Sequence, residues 1–340
     1  MKLLSAAYGQ VARARRAWYD RVPQRRRHLT QPVVSVGNLS VGGSGKTPAV
    51  AALARLLLAA GERPAILSRG YARREVVEGV LVVSDGSAVL ESVERSGDEP
   101  QLLARTLPGV PVLVCPDRHL AGVLAERRFG ATVLLLDDGF QHLELERDLD
   151  LLMVRPEDLR EDLLPHGRLR EPIGAASAAH AIIVPGSVDE TALVAATFGT
   201  LPVFTLGLEF GTPCLVRPFG DPVPDGAFGT SRRLVAMAGI ARPERFFATV
   251  EALGWQIAQP MVYRDHHWFT PKDVDAIRAA VQVHSAGGVI TTEKDAVRLA
   301  SLTLPHDTVW TYVPMRASVE PATEFREWFL ARLAEARTAT

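Results

Sequence analysis

The chain has 340 residues, 47% of them hydrophobic and 23% charged, a composition that suits two packed cores and excludes a disordered or fibrous protein. Its 38 basic and 39 acidic residues leave a net charge of -1, so nothing in the total suggests a nucleic-acid coat protein and no nucleic-acid partner is expected. The two cysteines, Cys115 and Cys214, form no CxxC or Cys/His cluster, which excludes a disulfide framework and a zinc site and suits a reducing cytosol.

The charge is unevenly spread. Residues 1–30 carry eight Lys/Arg against one acid, Asp20, whereas the rest of the chain is acidic. Within this segment Leu4, Ala7, Tyr8, Val11, Ala14 and Trp18 recur at helical spacing, with Arg13, Arg15, Arg16 and Arg21 beside them. The pattern predicts an amphipathic basic helix that ends before Pro23. Two readings stay open at this point: a helix packed on the body with a solvated basic face, or one lying on an anionic membrane surface. No apolar run approaches the roughly 18 residues of a spanning helix, and arginines interrupt the N-terminal apolar stretch. A chain that neither crosses a membrane nor leaves the cell is expected.

From Val33 onward, short apolar runs alternate with helical ones. Strands are predicted at Val33–Val36, Ala65–Leu67, Val112–Val114 and Thr132–Leu136, with helices at Pro48–Ala60, Pro100–Leu107 and Arg118–Phe129. Such continuous apolar strands between helices are typical of a parallel sheet covered on both faces, hence an α/β fold. After a polar, proline-bearing stretch, further strands are predicted at Ala181–Val184, Val203–Leu206, Leu234–Ala238, Val289–Thr291 and Val309–Tyr312, with helices at Pro243–Leu253 and Pro271–Val283. The expected organisation is a basic helix over 1–30, a first domain over 31–154, a second α/β domain over 155–315 and a C-terminal helical segment over 316–340, whose packing is left open.

Three places carry chemistry. The first is Ser40-Val41-Gly42-Gly43-Ser44-Gly45-Lys46-Thr47, entered from the strand Val33–Val36 and followed by a helix with Pro48 in its first turn. Strand, glycine-rich turn and helix are the setting of a phosphate-binding loop. Backbone N–H groups curl round the phosphates, the lysine reaches the β and γ oxygens, and the threonine hydroxyl serves Mg²⁺. Ser40 stands where the usual pattern has its first glycine, with Gly42 and Gly43 supplying the flexibility instead. Only four of the 38 basic residues are lysines, which makes Lys46 more informative than an arginine would be.

The second place is Asp137-Asp138-Gly139-Phe140-Gln141-His142, at the end of an apolar strand where a magnesium-holding carboxylate belongs. Guanine specificity finds no support, because Leu136 occupies the place of the Asp in DxxG and Lys294 is directly adjacent to Asp295. ATP is the expected nucleotide. Third, Gly97-Asp98-Glu99-Pro100 and Asp265-His266-His267 each read either as helix-start chemistry or as catalytic groups. Adjacent histidines on extended chain point opposite ways, so a single acting histidine is expected.

Taken together with Ser68-Arg69-Gly70-Tyr71 and Thr292-Glu293-Lys294-Asp295-Ala296-Val297, these blocks, in this order and over nearly the whole chain, resemble the tetraacyldisaccharide 4'-kinase family of lipid A biosynthesis. The resemblance implies a P-loop kinase domain with a mostly parallel sheet plus a second, smaller α/β domain. It also implies transfer of the ATP γ-phosphate, with Mg²⁺, to the 4'-hydroxyl of an acylated glucosamine disaccharide 1-phosphate, giving lipid IVA. A monomer bound peripherally to the cytoplasmic face of the bacterial inner membrane is expected, with the basic helix in contact with that surface. By the same resemblance Ser40 to Thr47 hold the phosphates. Asp98 and His266 form a base-and-partner dyad, with His266 favoured over His267. Thr47, Asp137 and Asp138 serve the metal and the transferring phosphate, and Arg69, Gln141, His142 and Glu171 line the site or support it. An ATPase or nucleotide switch, and a soluble small-molecule kinase, are the competing readings.

Overall fold

The computed structural model describes residues 2–229 and 231–339; Met1, Thr230 and Thr340, which the expected segments include, lie outside them. In chain order the first elements are α1 (Lys2–Arg21), β1 (Val33–Asn38), α2 (Lys46–Ala59), β2 (Pro64–Ser68), β3 (Leu81–Asp85), α3 (Val93–Ser96) and α4 (Asp98–Thr106). They are followed by β4 (Pro111–Val114), α5 (Arg118–Phe129), β5 (Val133–Asp137), β6 (Leu149–Met153), β7 (Ala181–Pro185), α6 (Val188–Phe198) and β8 (Val203–Phe210). The remainder comprises β9 (Cys214–Leu215), β10 (Arg233–Ala238), α7 (Pro243–Ala252), β11 (Gln256–Val262), α8 (Pro271–Val283), β12 (Val289–Thr292), α9 (Glu293–Leu299), β13 (Trp310–Val313), β14 (Met315–Glu320) and α10 (Ala322–Ala339).

The described residues form two sheets. The larger has nine strands in the order β14-β8-β7-β6-β1-β5-β2-β4-β3, parallel except for β3 and β14 at its edges. β1 lies between β5 and β6, so the chain leaving its carboxyl end emerges at a reversal of strand order, where open α/β sheets place their ligands. Buried residues of α2, α4 and α10, among them Leu53, Leu103, Phe325 and Phe329, cover one face. Ala121 and Ala125 of α5 cover part of the other, and Val194 of α6 covers a further part.

The smaller sheet has the order β11-β10-β12-β13-β9, with α8 and α9 on one face and α7 on the other. The chain enters it after β8 and leaves it into β14, which runs back antiparallel along β8 from Phe210 opposite Met315 to Thr205 opposite Glu320.

The partition differs from the expected one in a specific way. The strands at 181–185 and 203–210, expected in the second unit, extend the first sheet beyond β6. β6 went unread because Asp150 interrupts its apolar run; that carboxylate is buried against Arg147 at 2.8 Å and so tolerates the interior. Once β6 is in place, β7 and β8 have an edge to join. The C-terminal helix α10, left open by the sequence, packs on the first unit.

Candidate active site

Residues Ser40 to Thr47 link β1 to α2 at that reversal. Gly45, immediately before α2, has φ of 81°, a backbone conformation that a side chain would strain. Gly42, at φ 98°, lies so close to the Arg168 guanidinium that a Cβ there would sit 2.3 Å from it. Ser40 is fully buried and its hydroxyl accepts from Arg155 at 3.1 Å, so it anchors the loop through its side chain. Lys46 donates from Nζ to Asn38 Oδ1 at 2.9 Å and lies 3.5 Å from Asp138. Arg170 grips Asp138 with both guanidinium arms, at 2.8 and 3.0 Å, and also bonds Asn38.

Asp137 ends β5 in register with Val36 of β1, and Asp138 follows it, 3.5 Å from Lys46. Their environments push them apart. Burial, then Glu99 and Asp138, raise the Asp137 carboxyl to about 7. Burial also raises Asp138, but Arg170 and Lys46 outweigh it and hold that group at about 2. Asp138 has φ of 58°, a left-handed conformation uncommon outside glycine and concentrated at functional sites. Asp137 Oδ1 is buried without a hydrogen-bond partner among the described residues. A buried, unpartnered carboxylate oxygen next to a phosphate loop fits a hard cation such as Mg²⁺, which takes oxygen ligands and keeps much of its water.

Asp98 opens α4 in the first unit and is only 3% exposed. His266, in the loop between β11 and α8 of the second unit, meets it: Nδ1 donates to Asp98 Oδ2 at 2.9 Å. Lys294 Nζ stands 3.2 Å from His266 Nε2, and an ammonium can only donate, so the imidazole carries its proton on Nδ1. His266 also has a left-handed φ, 57°. Arg298, buried, donates to the same Asp98 oxygen at 2.7 Å, and Lys294 pairs with Glu99 at 3.2 Å. Burial raises the Asp98 carboxyl, and His266, Lys294 and Arg298 bring it down to about 2.

The structure thus brings Asp98 and His266 together across the two units. His267 turns away, bonding Asp273 at 3.1 Å and stacking on Tyr263. Glu171 is buried, held by Arg16 and by Gln141 Nε2 at 3.1 Å, and Gln141 also donates to the Asn38 carbonyl at 3.0 Å. Arg69 is exposed, with no side-chain hydrogen bond among the described residues. His142 is half-buried beside cations, and the loss of solvent and Arg118 lower it to about 4. Sequence reasoning did not single out Asn38, Glu99, Arg170, Lys294 or Arg298 as site residues. Lys294 left a signal, being one of the four lysines; the others are common polar types in motif flanks.

The apolar stripe of α1 faces outward. Leu3 is 87% exposed, Leu4 62% and Val11 68%, with Tyr8 and Trp18 also exposed. The helix packs instead through Ser5, Gly9 and Tyr19, and a Cβ on Gly9 would sit 2.6 Å from Leu163. Among the described residues no helix is long and apolar enough to cross a membrane.

Residues 1–334 match the family model described as tetraacyldisaccharide-1-P 4'-kinase, LpxK. A protein of Syntrophus aciditrophicus named tetraacyldisaccharide 4'-kinase is 38% identical over 319 residues, covering 89% of this chain and 84% of its own. One of the same name from Geobacter metallireducens is 40% identical over 305 residues, covering 88% of each. The crystal structure of LpxK from Aquifex aeolicus, described as an "apo" form in complex with ATP, superposes with a TM-score of 0.79 at 32% identity over 97% of both chains.

Proposed function

The chain belongs to the tetraacyldisaccharide-1-P 4'-kinase family, and from that membership we propose how its residues divide the work. The protein is an ATP-dependent kinase that transfers the γ-phosphate to the 4'-hydroxyl of tetraacyldisaccharide 1-phosphate, forming lipid IVA in lipid A biosynthesis.

Phosphoryl transfer is catalysed by alignment and by charge placed where it develops. The backbone of Ser40 to Thr47 cradles the nucleotide phosphates, and Lys46 exchanges Asn38 and Asp138 for the β and γ oxygens. Thr47, Asp137 and Asp138 would hold Mg²⁺, which when bound supplies charge neutralisation at the transferring phosphate. Glu171 and Gln141 fix the turn that carries the paired aspartates, with Arg69 and His142 at its margins.

The Asp98–His266 pair takes the proton of the attacking 4'-hydroxyl. A carboxyl held at about 2 is a weak base alone. Hydrogen-bonded to the His266 imidazole, it forms a unit in which a second group shares that proton. The observation that carries this reading is the 2.9 Å bond between Asp98 of the first unit and His266 of the second.

The outward apolar stripe of α1, flanked by exposed Arg13, supports peripheral seating on an anionic inner-membrane surface, where the acylated substrate resides. Incubation with γ-labelled ATP, Mg²⁺ and the acylated disaccharide 1-phosphate in detergent micelles is expected to place label on the lipid. Label released only as free phosphate by the folded protein would favour an ATPase.

A further inference from the structure

Arg16 does not behave like the other basic residues of α1. It turns under the helix, and its guanidinium forms a two-pronged pair with Glu171, Nε to Oε2 at 2.8 Å and Nη2 to Oε1 at 2.9 Å. Both side chains are largely shielded, 13% and 8% exposed. The same guanidinium lies 4.4 Å from the centre of the Phe140 ring and donates to the Phe140 carbonyl, while Arg15 donates to the carbonyl of Gln141 at 2.9 Å. Two consecutive residues of α1 therefore hold the turn that follows the paired aspartates.

From Glu171 the contacts continue inward. Gln141 Nε2 bridges Glu171 at 3.1 Å and the Asn38 carbonyl at 3.0 Å, and Asn38 Oδ1 receives Lys46 at 2.9 Å. The backbone beside Glu171 is tied to the same loop: Arg170 N–H donates to the Leu39 carbonyl at 2.6 Å and Val41 N–H to the Arg168 carbonyl at 2.9 Å. We propose that Arg16 is a positioning residue of the phosphoryl-transfer site, tying the outward-facing apolar helix to the phosphate loop through Glu171, Gln141 and Asn38. The proposal rests on the site assignment above and adds a physical connection between the surface that faces lipid and the loop that faces ATP.

The chemistry explains why a guanidinium stands there. A buried carboxylate without its cationic partner is strongly disfavoured, and without Arg16 the Glu171 side chain would keep only Gln141 among its hydrogen-bond partners. Losing Arg16 would free Glu171 and with it Gln141, and so loosen the Asn38 seat of Lys46. A lysine could supply the charge but not the two parallel hydrogen bonds.

The test uses the full chain as Arg16→Gln, Arg16→Lys and Gln141→Ala, with transfer measured in micelles. Binding is measured by co-sedimentation with vesicles of phosphatidylethanolamine and phosphatidylglycerol at roughly three to one. Arg16→Gln is expected to lower kcat about tenfold or more while vesicle binding stays within about twofold, and Arg16→Lys to fall between it and the unmodified chain. The double variant Arg16→Gln/Gln141→Ala should cost little more than the worse single one. Hydrogen exchange over Leu39–Lys46 reads the same connection without turnover and should be faster in Arg16→Gln.

Normal kcat, unchanged exchange in that segment, additive losses, or parallel loss of vesicle binding and turnover would each overturn the proposal. If Arg16→Gln fails to fold, Arg16→Lys decides: reduced kcat with faster loop exchange supports the connection, and unchanged values in both overturn it. Failure of the kinase reading itself would show separately, as absence of lipid labelling by the unmodified chain.

Discussion

Lys46 is held in place by neighbours that it would leave under the proposed mechanism. Its ammonium rests on Asn38 and near Asp138, both within the site, and contributes little to the core. Lys46→Ala should therefore lower kcat by about a hundredfold or more, the scale of losing one preorganised charge at a phosphoryl group, with an unchanged thermal midpoint. Initial rates and a thermal melt on the same preparation check both halves. Asp98 behaves differently because it is buried among cations. Its carboxyl lies at about 2 against an ordinary 3.8, so folding favours the ionised form. That contribution is fully present above about pH 4 and is lost as pH falls toward 2. Asp98→Asn removes it and leaves Arg298 paired with Asp295 alone, so stability near neutral pH should drop by about 2 kcal/mol, the scale of that displacement. The gap to the unmodified chain should narrow in acid, as urea unfolding at several pH values would show.

At the scale of elements, α1 separates two tasks that the sequence merges. Its periodicity was legible, but periodicity gives only the existence of an apolar face, and the structure turns that face to solvent while Ser5, Gly9 and Tyr19 meet the body. Small residues at a close contact look unremarkable in sequence, which is why the packing side could not be read. Arg13 is exposed whereas Arg16 is bound to Glu171, so reversing all the helix arginines together would confound membrane seating with site damage. Leu4→Asp with Val11→Asp is the cleaner change. Each side chain is more than half exposed, so thermal stability should hold within about 0.5 kcal/mol while co-sedimentation with anionic vesicles falls at least tenfold. Unchanged sedimentation would contradict a lipid-facing role. The missed strands have physical reasons as well: β11 contains Pro260 and lies at a sheet edge, and β14, another edge, carries Arg316 and Glu320. Edge strands tolerate residues that a central strand excludes, so their signal is weak.

Across the whole molecule, the two units meet over the chemistry. The phosphate loop and the aspartate turn were legible because glycine spacing and a strand-ending acid impose local geometry. The cation cluster around Asp98 was not, since Lys294 and Arg298 reach it from α9 some two hundred residues away and only the folded chain brings them there. The excursion from β8 into the second sheet and back through β14 gives two adjacent crossings between the units, and Asp98 is bridged to the second unit by His266 and Arg298.

The most direct measurement is the double-mutant cycle across that junction: kcat for phosphate transfer to the acylated disaccharide with Asp98→Asn, His266→Ala and both. If the two groups take the proton as one unit, each single change lowers kcat by about a hundredfold or more with a smaller effect on nucleotide binding, and the double variant is little worse than the poorer single one. Additive losses, or near-normal turnover in either single variant, would contradict a dyad shared between the units.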